Sequence, residues 1–223
     1  MSFLFDVAAS LLRIVYPPRC PLCGNFQTEE LTICDECSAR AIRVDAGPDI
    51  SQLGAVYLDS CISCFAFEGG VRGCVHSFKY GEAINLAGFI GREIHSKLRQ
   101  TEEFDMIIPV PLHSRKLKLR GYNQAALIAE IVSKRSGKRA EKNLLKRIRN
   151  DSPQATLHRV ERIRNVKSSF AISKRAEGVV RGKRILLVDD VMTTGATLNE
   201  CAKILKKAGA AVVVGITFAR ATI

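Results

Sequence analysis

The sequence predicts an α/β fold, a mostly parallel sheet with flanking helices, joined to a small cysteine-rich N-terminal module. Three observations carry this. Short, mainly apolar runs at 105–110, 185–188 and 211–218 alternate with segments of helical period, the pattern of a parallel sheet covered on both faces. Two Cys-x2-Cys pairs, Cys20/Cys23 and Cys34/Cys37, stand before the first such run. The 223 residues are 47% apolar and 25% charged with no Trp, which suits one medium domain plus a module. That composition excludes a disordered, collagen-like or multi-span membrane chain.

The elements follow in order. Phe3 to Tyr16 carries apolar residues at 4, 7, 8, 11, 12 and 15, a helix that Pro17 and Pro18 end. It packs on its own domain, or it docks on a membrane or a partner. It lacks a basic n-region, contains Asp6 and ends in Pro-Pro, so it does not read as a signal peptide, and its apolar run is too short to span a bilayer. The expected compartment is the reducing cytoplasm. The cysteine module covers about 19–40, and 44–59 is a turn-rich connection. The expected boundaries are 1–55 for the helix and cysteine module and 56–223 for the α/β domain.

Within that domain, 61–67 reads as a strand closed by Gly69-Gly70. Residues 71–99 read as mostly helical with a break near Gly81, 122–136 and 196–208 as helices, and 105–110, 185–188 and 211–218 as strands. The stretch 144–168 is polar and basic with few apolar anchors.

Each Cys-x2-Cys pair makes a tight turn that presents two thiolates, and four thiolates in a tetrahedron are what Zn2+ takes in a closed structural site. In a reducing compartment the pairs read as metal ligands before disulfides. The flanking residues are too polar to bury two thiol pairs, and two adjacent pairs argue against a redox motif. Cys20, Cys23, Cys34 and Cys37 are therefore the expected zinc ligands, in a zinc-ribbon-like module with no position left open for catalysis. Cys61 and Cys64, three apart on a strand, point to opposite faces and cannot share a metal. They read as small buried hydrophobes, as do Cys74 and Cys201.

The most informative segment is ILLVDDVMTTGATL, Ile185 to Leu198. An apolar strand ends at Val188, two carboxylates follow, then a turn of hydroxyls and small residues, then a helix. Open α/β sheets bind ligands at this place. The helix N-terminus offers unpaired N–H groups to a phosphate. Gly195 lets the backbone approach, and the Thr hydroxyls donate further bonds. Asp189 and Asp190 would repel the phosphate unless they face ribose hydroxyls or a divalent cation. The plain alternative is a capped turn after an ordinary strand.

This segment resembles the phosphoribosyl pyrophosphate (PRPP) motif of type I phosphoribosyltransferases. VPL at 110–112, RGYNQA at 120–125, Lys79-Tyr80, and the spaced set Gln154, Leu157, Arg162, Asn165 and Phe170 resemble the ComF (competence protein F)/GntX family, which also begins with a cysteine-paired zinc module. The resemblance covers nearly the whole chain and implies a type I phosphoribosyltransferase fold. It implies that Asp189 and Asp190 hold the ribose hydroxyls of PRPP, partly through Mg2+. Val191, Met192, Thr193, Thr194, Gly195, Ala196 and Thr197 match the 5′-phosphate loop. Pro109–Arg115 falls where the family binds pyrophosphate, and 147–168 where type I enzymes carry a mobile loop that closes over the site. Independently, Arg115, Lys116 and Lys118 supply cations suited to pyrophosphate. Lys79 and Arg120 are second contacts, or surface charge. The reaction implied is attack of a nucleophile at the anomeric carbon with loss of pyrophosphate. No acid or base is assignable, and His113 by the pyrophosphate segment reads as an ordinary hydrogen-bonded histidine.

Charge adds a second theme. Lys plus Arg number 34 against 22 Asp plus Glu, a formal charge of +12. Residues 115–184 alone hold 21 basic and 5 acidic side chains. Such a block exceeds what solubility needs and suits a phosphate backbone. The family resemblance implies a role in natural transformation, handling incoming single-stranded DNA, with a DNA-uptake protein as a possible partner. Arg115, Lys116, Lys118, Arg120, Arg159, Arg162 and Arg164 are the candidate strand contacts, with Tyr122 and Phe170 the nearby aromatics. The alternative is a phosphoribosyltransferase for a small-molecule acceptor, its basic block serving pyrophosphate and the solvation of a loop.

Overall fold

A computed structural model describes residues 17–27, 29, 32–44, 47, 55–81, 83–98, 103–149, 169–174 and 176–221. The helix expected over 3–16, nearly all of the loop expected over 147–168, and Arg159, Arg162 and Arg164 lie outside these residues.

Among the described residues, five strands build one parallel sheet. In chain order they are β1 (Ser60–Ala66), β2 (Met106–Pro109), β3 (Arg139–Ala140), β6 (Arg184–Met192) and β7 (Val212–Arg220), arranged β1-β7-β6-β2-β3. A separate antiparallel pair joins β4 (Leu145–Arg147) to β5 (Phe170–Ile172). Helix α1 is Asp35–Arg40, α2 Gly69–Tyr80, α3 Leu86–Leu98, α4 Ser114–Arg120, α5 Gln124–Ser136, α6 Ala176–Val180 and α7 Ala196–Lys207.

The apolar runs become central strands because each alternate residue meets a different core. In β6, Ile185 and Leu187 face the cluster containing Leu198, Cys201 and Leu205 of α7. Leu186 and Val188 face the opposite cluster, with Phe78 of α2, Phe89 and Ile90 of α3 and Ile128 of α5. Two buried faces per strand leave no room for polar alternation. Cys61 and Cys64 divide the same way, one in each core, and both are buried, as strand spacing predicts. Burial pushes both thiols up to about 12, so they remain protonated and act as small apolar groups.

Three differences from the sequence expectation bear on function. First, β6 does not stop at Val188. It continues to Met192, still paired with β7 through Val191↔Ala219 and Met192↔Arg220. The acidic pair therefore lies inside a strand. Second, the segment after β2 coils into a short helix, α4, closed by Gly121 at φ 78. Cation spacing alone does not indicate it. Third, the basic stretch has apolar anchors at both sides of the hairpin. Leu144, Leu145 and Phe170 are buried in the α7-side core.

Candidate functional site

The ends of β2 and β6 open a cleft of about 170 Å3. Its walls come from Val110, Pro111 and Leu112 after β2, Lys116 and Arg120 on α4, Asn123–Ala125 at the start of α5, Arg147 on β4, Lys79 on α2, and Asp189, Asp190, Val191 and Thr197. This is the carboxyl edge of a parallel sheet, where strand ends and helix starts converge.

Consecutive strand residues point to opposite faces, so Asp189 and Asp190 straddle β6. Asp190 turns toward α2, where its Oδ1 lies 3.0 Å from Lys79 Nζ. Asp189 shares the face of Ile185 and Leu187, the side of the β4–β5 hairpin. It is sunk among protein atoms but keeps a half-exposed edge on the cleft, and its Oδ1 accepts a hydrogen bond from the Asp190 N–H at 2.9 Å. Burial, reinforced by the neighbouring Asp190 charge, lifts its carboxyl to about 7 against the pull of Lys79 and Arg147. Lys79 pairs directly with Asp190 and its charge also reaches Asp189, while Arg147 lines the same cleft. Arg147 is a site residue that the sequence does not single out. It falls at the edge of the expected loop, yet it sits on β4 with its guanidinium 5.2 Å from the Phe170 ring centroid.

The motif RGYNQA binds this corner together. Arg120 Nη1 donates to Gln124 Oε1 at 3.1 Å. Gly121 takes the left-handed turn that ends α4. Tyr122 Oη donates to the Phe78 carbonyl at 2.6 Å, and Gln124 Nε2 reaches the same carbonyl at 3.4 Å. Asn123 caps α5, accepting from Ala125 N–H at 3.1 Å, and donates to the Val110 carbonyl at 3.1 Å. One short motif holds α2, β2, α4 and α5 around the cleft.

At the other wall, Gly195 takes φ 78 and opens α7, and Thr194 Oγ1 accepts from Ala196 N–H at 3.3 Å. Thr197 and Val191 line the cleft. Met192 does not. It is buried, with its sulfur 3.6 Å from Cys61 Sγ. Thr193, Thr194, Gly195 and Ala196 form the turn beside the cleft without lining it. Arg115 also stands apart, exposed in the first turn of α4, its N–H donated to His113 Nδ1 at 3.2 Å. Lys116 takes the place at the wall that charge alone assigns equally well to Arg115.

The four N-terminal cysteines converge. Their sulfurs all lie within 4.8 Å of one another, and Cys23 Sγ and Cys34 Sγ are 3.7 Å apart. A zinc–thiolate tetrahedron with bonds of about 2.3 Å has edges of about 3.8 Å, so the donor set fits the metal. The first knuckle closes through Gly24 at φ 80, whose N–H donates to the Cys20 carbonyl at 2.9 Å. Cys34 caps α1, accepting from the Cys37 N–H at 3.4 Å. The module rests on the α/β domain. Leu22 packs against Gly70, and Ala66 N–H donates to the Ile42 carbonyl at 2.9 Å along the edge of β1.

Comparison with known proteins agrees with both parts. Residues 120–221 match the phosphoribosyl transferase domain, and residues 11–48 the double zinc ribbon domain. Competence protein F of Haemophilus influenzae is 37% identical over 214 residues, covering 86% of this chain and 92% of that protein. The chain belongs to the competence protein F family. The family also reaches competence protein ComFC of Bacillus subtilis, 29% identical over 90% of this chain and 77% of that protein. DNA utilization protein YhgH of Salmonella typhimurium is 28% identical over 87% of this chain and 86% of that protein. This competence protein F relative is thus a competence-related, phosphoribosyltransferase-like protein with an N-terminal zinc ribbon. Among the described residues no helix is long and apolar enough to cross a membrane.

Proposed function

We propose that the cleft binds PRPP with Mg2+, and that the protein handles single-stranded DNA in the cytoplasm during DNA uptake. The observation that carries the first part is the pairing of two carboxylates at the end of β6 with a helix N-terminus one turn later in the chain. Hard carboxylate oxygens suit Mg2+, which Asp189 and Asp190 would hold and which would supply positive charge to the ligand's phosphates. Asp189 and Asp190 would hold the ribose side. The turn Thr193–Thr197 would present N–H groups and hydroxyls to the 5′-phosphate. Lys116 and Arg120, at the wall next to the 110–112 segment, would take the pyrophosphate. Catalysis in such a site is positioning plus stabilisation of the departing pyrophosphate charge.

The names of the relatives support the DNA part, together with the basic block at 115–184. In the described part of that block, Arg115 and Lys118 are exposed on α4 and Lys116 and Arg120 border the cleft. A strand laid on α4 would run along the rim of the PRPP site. The alternative reading, transfer to a small-molecule acceptor without DNA, rests on the same cleft. Fluorescence anisotropy across salt separates the two. Binding of a single-stranded oligonucleotide should be insensitive to sequence and fall steeply with salt, the log–log slope flattening by roughly 0.7 for each phosphate left without its cation. Lys116→Glu with Lys118→Glu should weaken every oligonucleotide alike. Equal binding by wild type and double variant, or none near physiological salt, leaves the small-molecule reading standing alone. Labelled PRPP incubated with Mg2+ and the oligonucleotide then reports turnover as pyrophosphate release and label transfer.

A further inference from the structure

Tyr80 ends α2 with 62% of its surface open to solvent. It is not a loose side chain. Its hydroxyl accepts a hydrogen bond from Arg120 Nη2 at 3.1 Å, and the guanidinium carbon of Arg120 lies 4.9 Å from the ring centroid. His76, one helical turn earlier, brings its ring to 5.0 Å from that of Tyr80. Arg120 is fixed in turn by Gln124, which is buried. The neighbouring residue, Lys79, reaches into the cleft to Asp190, and Arg120 lines the cleft wall. A braced aromatic ring therefore stands at the cleft mouth.

We infer that Tyr80, held by Arg120 and His76, is a stacking surface for a nucleobase at the mouth of the cleft. The inference rests on the PRPP reading of the cleft for its position and deepens it, because it names a heteroaromatic base as what lies beside the sugar. The chemistry is direct. An exposed ring backed by a guanidinium attracts a base π-face, and such stacking tolerates any base. Burying Tyr80 under a base also removes from water the ring surface that Arg120 and His76 leave open. The base belongs either to a free nucleotide or to a single strand, and both offer the same face.

The chain has no Trp, so Tyr80→Trp in the full-length protein installs a single indole reporter at this position. The exposed site accommodates the larger ring. We expect adenosine monophosphate and a thymidine oligonucleotide to quench its fluorescence, and ribose 5-phosphate and an abasic oligonucleotide not to. A strand source shows as quenching by the oligonucleotide at far lower concentration, a free-nucleotide source as the reverse. In parallel, Tyr80→Ala should weaken base-bearing ligands roughly 5- to 100-fold, whereas Tyr80→Phe should keep most of the affinity. Tyr80→Ala also frees Arg120 from its hydrogen bond to Tyr80 Oη, so it should weaken calorimetric binding of PRPP with Mg2+ far less than it weakens base-bearing ligands. No quenching by any base-bearing ligand, or equal quenching by ribose 5-phosphate, overturns the inference. So does Tyr80→Ala losing PRPP and nucleotide alike. Quenching by bases in a protein that does not bind PRPP supports the stacking surface and defeats the PRPP reading instead.

Discussion

Lys79 Nζ lies 3.0 Å from Asp190 Oδ1, tying the end of α2 to the end of β6 across the candidate site. The lysine is 23% and the aspartate 7% exposed at the side chain, so neither charge is well hydrated. Removing the lysine strands a carboxylate in protein. Lys79→Met should lower unfolding free energy by about 3 kcal/mol in urea titrations. Adding Asp190→Asn should recover much of that loss, because the stranded charge is gone. Simple addition of the two single effects would show that the pair is not coupled.

The second acid gives a pH test. In the folded chain Asp189 titrates near 7, because burial and the Asp190 charge disfavour its ionised form, against 3.8 for an unperturbed group. Between about pH 4 and 7 the folded chain therefore holds a proton that the unfolded chain has released. Stability contributed by this group falls as pH rises through that window. Asp189→Asn should flatten the decline, so its stability advantage over wild type grows from pH 5 to pH 8. An identical pH slope in both proteins would contradict the assignment. The same titration predicts tighter binding of a Mg2+-linked ligand above pH 7, where the carboxylate is charged.

Metal content tests the N-terminal module. Native protein should contain about one zinc per chain, from four thiolates. Cys37→Ser should lose it and loosen the module, with faster amide exchange over 19–44. Cys64→Ser should keep it, since Cys64 is buried in the sheet core. Zinc-free native protein, or zinc lost with Cys64→Ser, would contradict the site.

Helices α3 and α5 touch at Gly91. A Cβ there would fall 2.6 Å from both Cβ and Cγ2 of Ile131, atoms that a β-branched side chain cannot move aside. Gly91→Ala should cost about 1–3 kcal/mol in thermal or urea unfolding. Ile131→Ala in the same chain should relieve part of that cost. A neutral Gly91→Ala would mean the helices separate freely.

Much of the architecture is legible in the sequence because parallel strands are apolar on both sides and their helices carry a clean period. The runs at 185–188 and 211–218 correspond to β6 and β7, and the break near Gly81 separates α2 from α3. The cysteine ligands are legible from spacing alone. What the sequence hides depends on long-range partners. The extension of β6 to Met192 comes from pairing with β7, which overrides the polar residues that mark a strand end. Arg147 is one cation among many until β4 sets it on the wall of the cleft that Asp189 also lines. Arg115 and Lys116 are neighbours with equal charge, and only the turn of α4 decides that Lys116 meets the cleft. The Lys79–Asp190 pair joins residues far apart in the chain, and no local signal announces it.

Isothermal calorimetry of PRPP with Mg2+ tests the central claim, that the acids of β6 and the start of α7 form one ribose-phosphate site. Wild-type protein should bind one PRPP per chain, and binding should weaken sharply without Mg2+. Asp189→Asn, which keeps the shape of the side chain and relieves a buried charge, should remain folded by circular dichroism yet lose roughly 10- to 100-fold in affinity. No binding heat at millimolar PRPP, or the same affinity in wild type and Asp189→Asn, would contradict the account.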